Sequence, residues 1–218
     1  MALMSLAIAG LLRKVMPELA PGPQEPLKNQ IATLANRFFI ADLLLSLAEF
    51  TAMFGAYTYL ADMLVRSGAI APAQVGWWLM GFGTVGLLGN NLASRLVDGH
   101  PVKANILFCL MLGAGAVSAV LFVGQLILFV ASLVIWGVAH TALFPLGQIR
   151  VINAARNCKA LAGTLNISAC NSGIAAGAML GGWTIDFSGI TAAILAASVL
   201  IVLCAFATPA VERLRPAA

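Results

Sequence analysis

Of 218 residues, 61% are hydrophobic and only 9% charged, against roughly 45–50% and 25% in soluble globular chains. Polar side chains this sparse cannot cover a water-exposed surface, and with a mean hydropathy of +0.97 the chain reads as a multi-span membrane protein, neither soluble nor disordered. The net charge of +4 then reports basic loops on one side of a bilayer rather than a nucleic-acid surface. At about 20 residues per span six spans fill the chain and twelve do not fit. The apolar residues form long runs and do not alternate, which argues against a β-barrel.

Residues 1–12 are apolar, but twelve helical residues reach only about 18 Å and do not span. Arg13 and Lys14 follow this stretch instead of preceding it, unlike a signal peptide. The segment reads as the end of a span whose beginning is missing. Residues 13–37 form a cytoplasmic linker, in which Pro17, Pro21, Pro23 and Pro26 preclude a continuous helix. Six spans are predicted within 38–211: A over 38–65, B over 73–97, C over 104–123, D over 125–147, E over 161–185 and F over 190–211, with 212–218 as a tail. Lys and Arg divide eleven to one between alternate connections, with Arg66 alone between A and B. The positive-inside rule puts the eleven, and both ends of the six-span unit, in the cytoplasm. Arg150, Arg156 and Lys159 are assigned to the D–E loop on this count.

An ionisable side chain at mid-bilayer costs at least about 2.5–3.5 kcal/mol on insertion scales, so each one inside a span is a candidate for function. In A, Asp42, Ser46, Glu49 and Met53 share one helical face. Asp42 is expected to reach water, and Asp62 to pair with Arg66 four residues on. Glu49 has neither outlet, which makes it the first candidate for a proton-carrying or substrate-facing group; the bland alternative is a hydrogen-bonded carboxyl that holds helices together. In D, Gln125, Ser132, Trp136 and His140 share a face. His140 beside Trp136 suits substrate binding or proton relay, with a structural histidine as the alternative. Pro145 is expected to kink that helix. Asn90 and Asn91 in B, and Asn166 and Asn171 in E, suit bonds between helices, and Asn171 joins the substrate-facing candidates.

Cys109, Cys158, Cys170 and Cys204 are far apart, with no CxxC and no histidine at ligand spacing. They read as core residues, so neither a metal nor any other cofactor is expected. No HExxH, GxxxxGK[ST] or intramembrane protease arrangement occurs at workable spacing, which argues against an enzyme.

The run Gly89-Asn-Asn-Leu92-Ala93-Ser94-Arg-Leu-Val97-Asp98 recurs 88 residues later as Gly177-Ala-Met-Leu180-Gly181-Gly182-Trp-Thr-Ile185-Asp186. The alternating topology makes the two copies antiparallel, the pattern of a three-plus-three inverted repeat. Gly173, Gly177 and Gly181 form a ladder on one face of E, and Gly81, Gly86 and Gly89 crowd B. Close helix packing is the first reading of both sets.

The run Tyr57-Thr-Tyr-Leu-Ala-Asp62, the B segment Val75-Gly-Trp-Trp-Leu-Met-Gly-Phe-Gly-Thr-Val-Gly-Leu-Leu-Gly-Asn90 and the E segment Leu165-Asn-Ile-Ser-Ala-Cys-Asn-Ser-Gly-Ile-Ala-Ala-Gly-Ala-Met-Leu-Gly-Gly182 together resemble the C-terminal half of a major facilitator superfamily exporter. The branch is the drug:proton antiporter type that includes the arabinose-efflux permeases. The family's loop signature, Gly-x-x-x-Asp-Arg-x-Gly-Arg-Lys, is reduced here to Ser94-Arg95-Leu-Val-Asp98-Gly99-His100-Pro101-Val102-Lys103, which leaves Arg95, Asp98 and Lys103 as gating candidates. The resemblance implies an all-α bundle of six transmembrane helices in a bacterial inner membrane. It also implies proton-coupled efflux of a sugar, nucleoside or drug-like molecule, and a second six-helix half as partner, either another copy or a separate chain. The competing reading is a truncated or non-transporting membrane assembly protein.

Overall fold

The computed structural model describes residues 2–15, 26–68, 70–97, 99–155 and 158–216, and all regular structure among them is helical. The elements are α1 (Ala2–Val15), α2 (Leu27–Leu34), α3 (Arg37–Tyr57), α4 (Leu60–Arg66), a 3-10 turn at Pro72–Gln74, α5 (Val75–Val97), α6 (Pro101–Leu121), α7 (Leu126–Ala154) and α8 (Lys159–Glu212). Local chemistry sets several of the starts. Asn36 caps α3 by accepting from the Phe38 amide at 2.9 Å, and Pro101 opens α6, where its missing amide hydrogen has no helical partner to lose. The proline-rich linker ends at Pro26, which precedes the short helix α2; Pro17, Pro21 and Pro23 lie outside the described residues.

Span A corresponds to α3 and α4, interrupted only at Thr58 and Tyr59. The Tyr59 hydroxyl donates to the Ala178 carbonyl on α8 at 2.6 Å, so the interruption is tied to the neighbouring helix. Helix α8 covers both E and F. A straight helix of its 54 residues would run about 81 Å, but Gly189 breaks it at φ 82° and ψ 170°. Across that break the chain turns back. Both the Gly177 carbonyl, before Gly189, and the Ala197 Cβ, after it, lie 3.6 Å from where a Cβ on Gly55 of α3 would stand. Two arms of α8 therefore lie together on α3.

By length and composition, four helices among the described residues are apolar enough to cross a membrane: α3 with α4, α6, α7 and the merged α8. Helix α5 has 23 residues, but its glycines and Asn90–Asn91 lower its hydropathy. The ladder glycines seat the first arm of α8 on α3. A Cβ on Gly173 would come within 2.5 Å of the Leu47 carbonyl, one on Gly177 would overlap the Thr51 carbonyl, and one on Gly181 would approach the Gly55 carbonyl at 2.6 Å. On α5, Gly86 and Gly89 admit Thr141 and Val138 of α7 in the same way. Gly81 departs from the expectation for B, since a Cβ there would meet nothing within 4 Å.

Span D needs a larger correction. Helix α7 continues through Pro145 to Ala154, past the predicted end at residue 147. Proline deletes one amide donor, while Leu146, Gly147, Val151 and Ala154 keep the buried face going beyond it. Arg150 is thereby part of a helix and not of a loop.

Candidate functional site

Helix α3 carries Asp42, Ser46, Glu49 and Met53 on one face, and all four are buried, with Glu49 completely so. The expectation that Asp42 reaches water is overturned. Its carboxylate is bonded to the Arg150 guanidinium, which comes across from α7. The same guanidinium stands 3.4 Å from Oε1 of Glu49, so Glu49 is not isolated either. Asn105 on α6 donates to that Oε1 at 2.7 Å and to the Thr208 hydroxyl at 2.9 Å. Thr208 passes its own hydrogen to the Cys204 carbonyl at 2.8 Å. Side chains of α3, α6, α7 and α8 thus meet in one buried network. Two of its acceptors, Oε2 of Glu49 and Oδ1 of Asn105, have no hydrogen-bond partner.

Arg150 is the buried residue of this cluster that the sequence reading misplaced, and a signal for it existed. Trp136, His140, Leu143, Gly147, Arg150 and Ala154 repeat at alternating spacings of four and three, the stripe of a helix that does not stop at Pro145. Two buried carboxyls on α3 also require a cation. With Arg150 between them, the cluster holds two acids against one base.

His140 occupies a different environment. Its ring packs against Tyr57 at 4.6 Å between centroids, Phe54 at 5.4 Å and Phe82 at 5.9 Å, and its Nδ1 has no partner. His140 also lines a cavity of about 400 Å³ with Met53, Phe54, Asn90, Thr141 and Phe144. Glu49 lies one turn of α3 before Met53 but does not line this cavity. Trp136 does not line it either. It is fully buried, edge-on to Phe82 and against Gly115, where a Cβ would come within 2.6 Å of the Trp136 amide.

The remaining candidates scatter. Asn171 is exposed on α8, whereas Asn166 is buried and donates to Gln148 of α7 at 2.6 Å. Arg95 and Lys103 are exposed, Lys103 beside His100 and Leu96 at a shallow cavity of about 260 Å³, and Asp98 lies outside the described residues. Asp62 and Arg66 pair at 2.6 Å, as their spacing predicts. The four cysteines are buried and unpaired, and no cluster of metal-ligating side chains occurs among the described residues.

The chain is 30% identical over 172 residues to the inner membrane transport protein YdhP of Escherichia coli K12, covering 78% of this chain and 44% of that protein. It is 26% identical over 190 residues to a probable sugar efflux transporter of Mannheimia succiniciproducens, covering 83% and 45%. A probable sugar efflux transporter of Haemophilus influenzae PittGG is 28% identical over 191 residues, covering 87% and 48%. The chain therefore spans about half the length of these curated relatives. The profile of the Major Facilitator Superfamily matches residues 38–217, and the chain, an all-helical multi-pass membrane protein, belongs to that superfamily.

Proposed function

We propose that the chain supplies one six-helix half of a proton-coupled exporter of small molecules, with residues 38–211 forming two inverted three-helix repeats and both ends of that unit facing the cytoplasm of a bacterial inner membrane. Packing supports the repeat. Gly89 meets Val138 and Thr141 on α7, while Gly177 meets Thr51 and Gly55 on α3. The 88-residue offset that relates Gly89 to Gly177 carries Thr51 to position 139, beside Val138. The same offset carries Gly55 to position 143, two residues beyond Thr141, so the contacted segments of α3 and α7 correspond to within two residues. Efflux as the direction of transport, and sugars among the substrate classes, rest on the names of the relatives.

Glu49 is the observation that carries the coupling. One carboxylate oxygen is held by Asn105 and Arg150, and the other is buried without a partner. A proton added there breaks no existing hydrogen bond. The two halves then rock about a site near the midplane, to which His140 contributes from this half. The test is proton-gradient-driven efflux in proteoliposomes containing the chain assembled with a second six-helix half. Glu49→Gln should abolish the response to the gradient, and undiminished pH-dependent efflux rejects the role.

The second reading is that the chain has no transport activity by itself and serves in membrane assembly. Saturable substrate flux from the chain reconstituted alone rejects it.

A further inference from the structure

We infer that the cavity between α3, α5 and α7 takes an uncharged, hydroxylated ring compound and rejects charged analogues, with Asn90 and His140 as its polar anchors. This rests on the reading of the chain as a transporter half and narrows the substrate class of that site.

The argument starts from charge. Among the described residues, no Asp, Glu, Lys or Arg lines the cavity of about 400 Å³. The nearest buried charges along α3 and α7, those of Asp42, Glu49 and Arg150, are committed to one another. A charged ligand seated there leaves water without gaining a counter-ion, and such a transfer is heavily penalised.

Hydrogen bonding comes next. Thr141 is already engaged, its hydroxyl bonding the Gly86 carbonyl at 2.7 Å and the Gly137 carbonyl at 3.0 Å. Asn90 offers an exposed amide, with both donors and an acceptor. His140 lines the same cavity and is more than nine-tenths buried; its Nδ1 is enclosed and unpartnered, so a ligand in the cavity would meet the ring at its other nitrogen, Nε2. A purely apolar ligand would leave these groups unsatisfied, which counts against it. Phe54 packs beside the His140 ring and Phe144 stands edge-on to Phe50. Both line the cavity with flat apolar surface. A ring with C–H faces and a rim of hydroxyls meets both requirements, faces on the aromatics and hydroxyls on Asn90 and His140.

The experiment is equilibrium binding to the full chain in lipid nanodiscs. Its panel contains neutral pentoses and hexoses, uridine as a neutral nucleoside, glucuronate and glucosamine as charged counterparts of glucose, and tetraphenylphosphonium as a lipophilic cation. At least one neutral compound should bind, with glucose or its best neutral relative at least about tenfold tighter than the charged counterparts. Asn90→Ala and His140→Phe should each weaken the neutral compound by about tenfold, roughly the loss of one hydrogen bond. His140→Gln, which keeps an N–H, should retain part of the affinity, and Gly81→Ala should change nothing. Uridine bound in preference to free sugars assigns the ring to a nucleoside. Charged counterparts bound as tightly as the neutral ones, tetraphenylphosphonium bound in preference, or no neutral compound bound overturns the inference. The two readings fail separately. Neutral binding with no flux in the assembled transporter defeats transport alone, and flux of cations without neutral binding defeats this inference alone.

Discussion

Arg150 on α7 stands 3.4 Å from Glu49 on α3 and at the same time bonds Asp42, seven residues earlier on that helix. The other side-chain contacts between the two helices include ring contacts of His140 with Phe54 and Tyr57 and of Phe144 with Phe50, so among the described residues this guanidinium is their principal polar link. Arg150→Ala leaves two buried carboxyls with no cation, a change that costs about 3–5 kcal/mol when one partner of a buried ion pair is removed. Thermal unfolding in detergent should show a large fall in midpoint. Removing all three charges together, as Asp42→Asn, Glu49→Gln and Arg150→Met, should restore most of the loss. An Arg150→Ala protein as stable as the parent would show that the triad does not form.

The same residue marks where the sequence is legible and where it is not. Span positions follow from apolar run length, and that signal places α5, α6 and both arms of α8 close to where the structure has them. The end of helix α7 escapes it because Arg150, a basic residue, reads as the start of a loop. The helix continues because Arg150 has partners on α3 that no local window contains. Asn105 shows the same limit. It is an isolated polar residue near the start of α6, and only the fold brings Glu49 and Thr208 to it. Glycine content announced close packing in B and E, but not which glycines are in contact, since that depends on the face each helix turns to its neighbour.

The glycines give a second prediction. A Cβ on Gly177 would overlap the Thr51 carbonyl, and that atom belongs to the backbone of α3. Gly177→Ala must push the two helices apart, at about 1–3 kcal/mol for overpacking. Gly81→Ala, in open space on α5, should be neutral or stabilising by up to about 1 kcal/mol, because glycine inside a helix is costly to order. The unfolding midpoint of Gly177→Ala should fall, while that of Gly81→Ala should hold or rise. A tolerated Gly177→Ala would contradict the contact between α3 and α8.

Gly189 gives a third. Its φ of 82° with ψ of 170° lies in a region that is essentially restricted to glycine, and a side chain there costs of order 1–3 kcal/mol. Since a Cβ at this position would touch nothing within 4 Å, the effect of Gly189→Ala isolates backbone strain from steric contact. Expected is a moderate loss of stability, undiminished when Ser is placed there instead. No loss would mean that the chain between the two arms of α8 turns by another route.

Orientation yields the last prediction, and the native cysteines make it clean to read. Cys109, Cys158, Cys170 and Cys204 are 0%, 2%, 5% and 3% exposed, so a membrane-impermeant maleimide should leave the folded parent unlabelled. Gln74, just before α5, and His100, just after it, are both exposed. With Arg150 inside α7, the remaining Lys and Arg divide ten to one, which predicts the Gln74 side outside and the His100 side in the cytoplasm. In intact cells the Gln74→Cys protein should therefore react at once, and the His100→Cys protein only after permeabilisation. The reverse pattern would invert the topology. Reaction of both from one side would mean that α5, whose glycines and asparagines make it the least hydropathic of the long helices, does not cross the bilayer, and the inverted-repeat arrangement would fail with it.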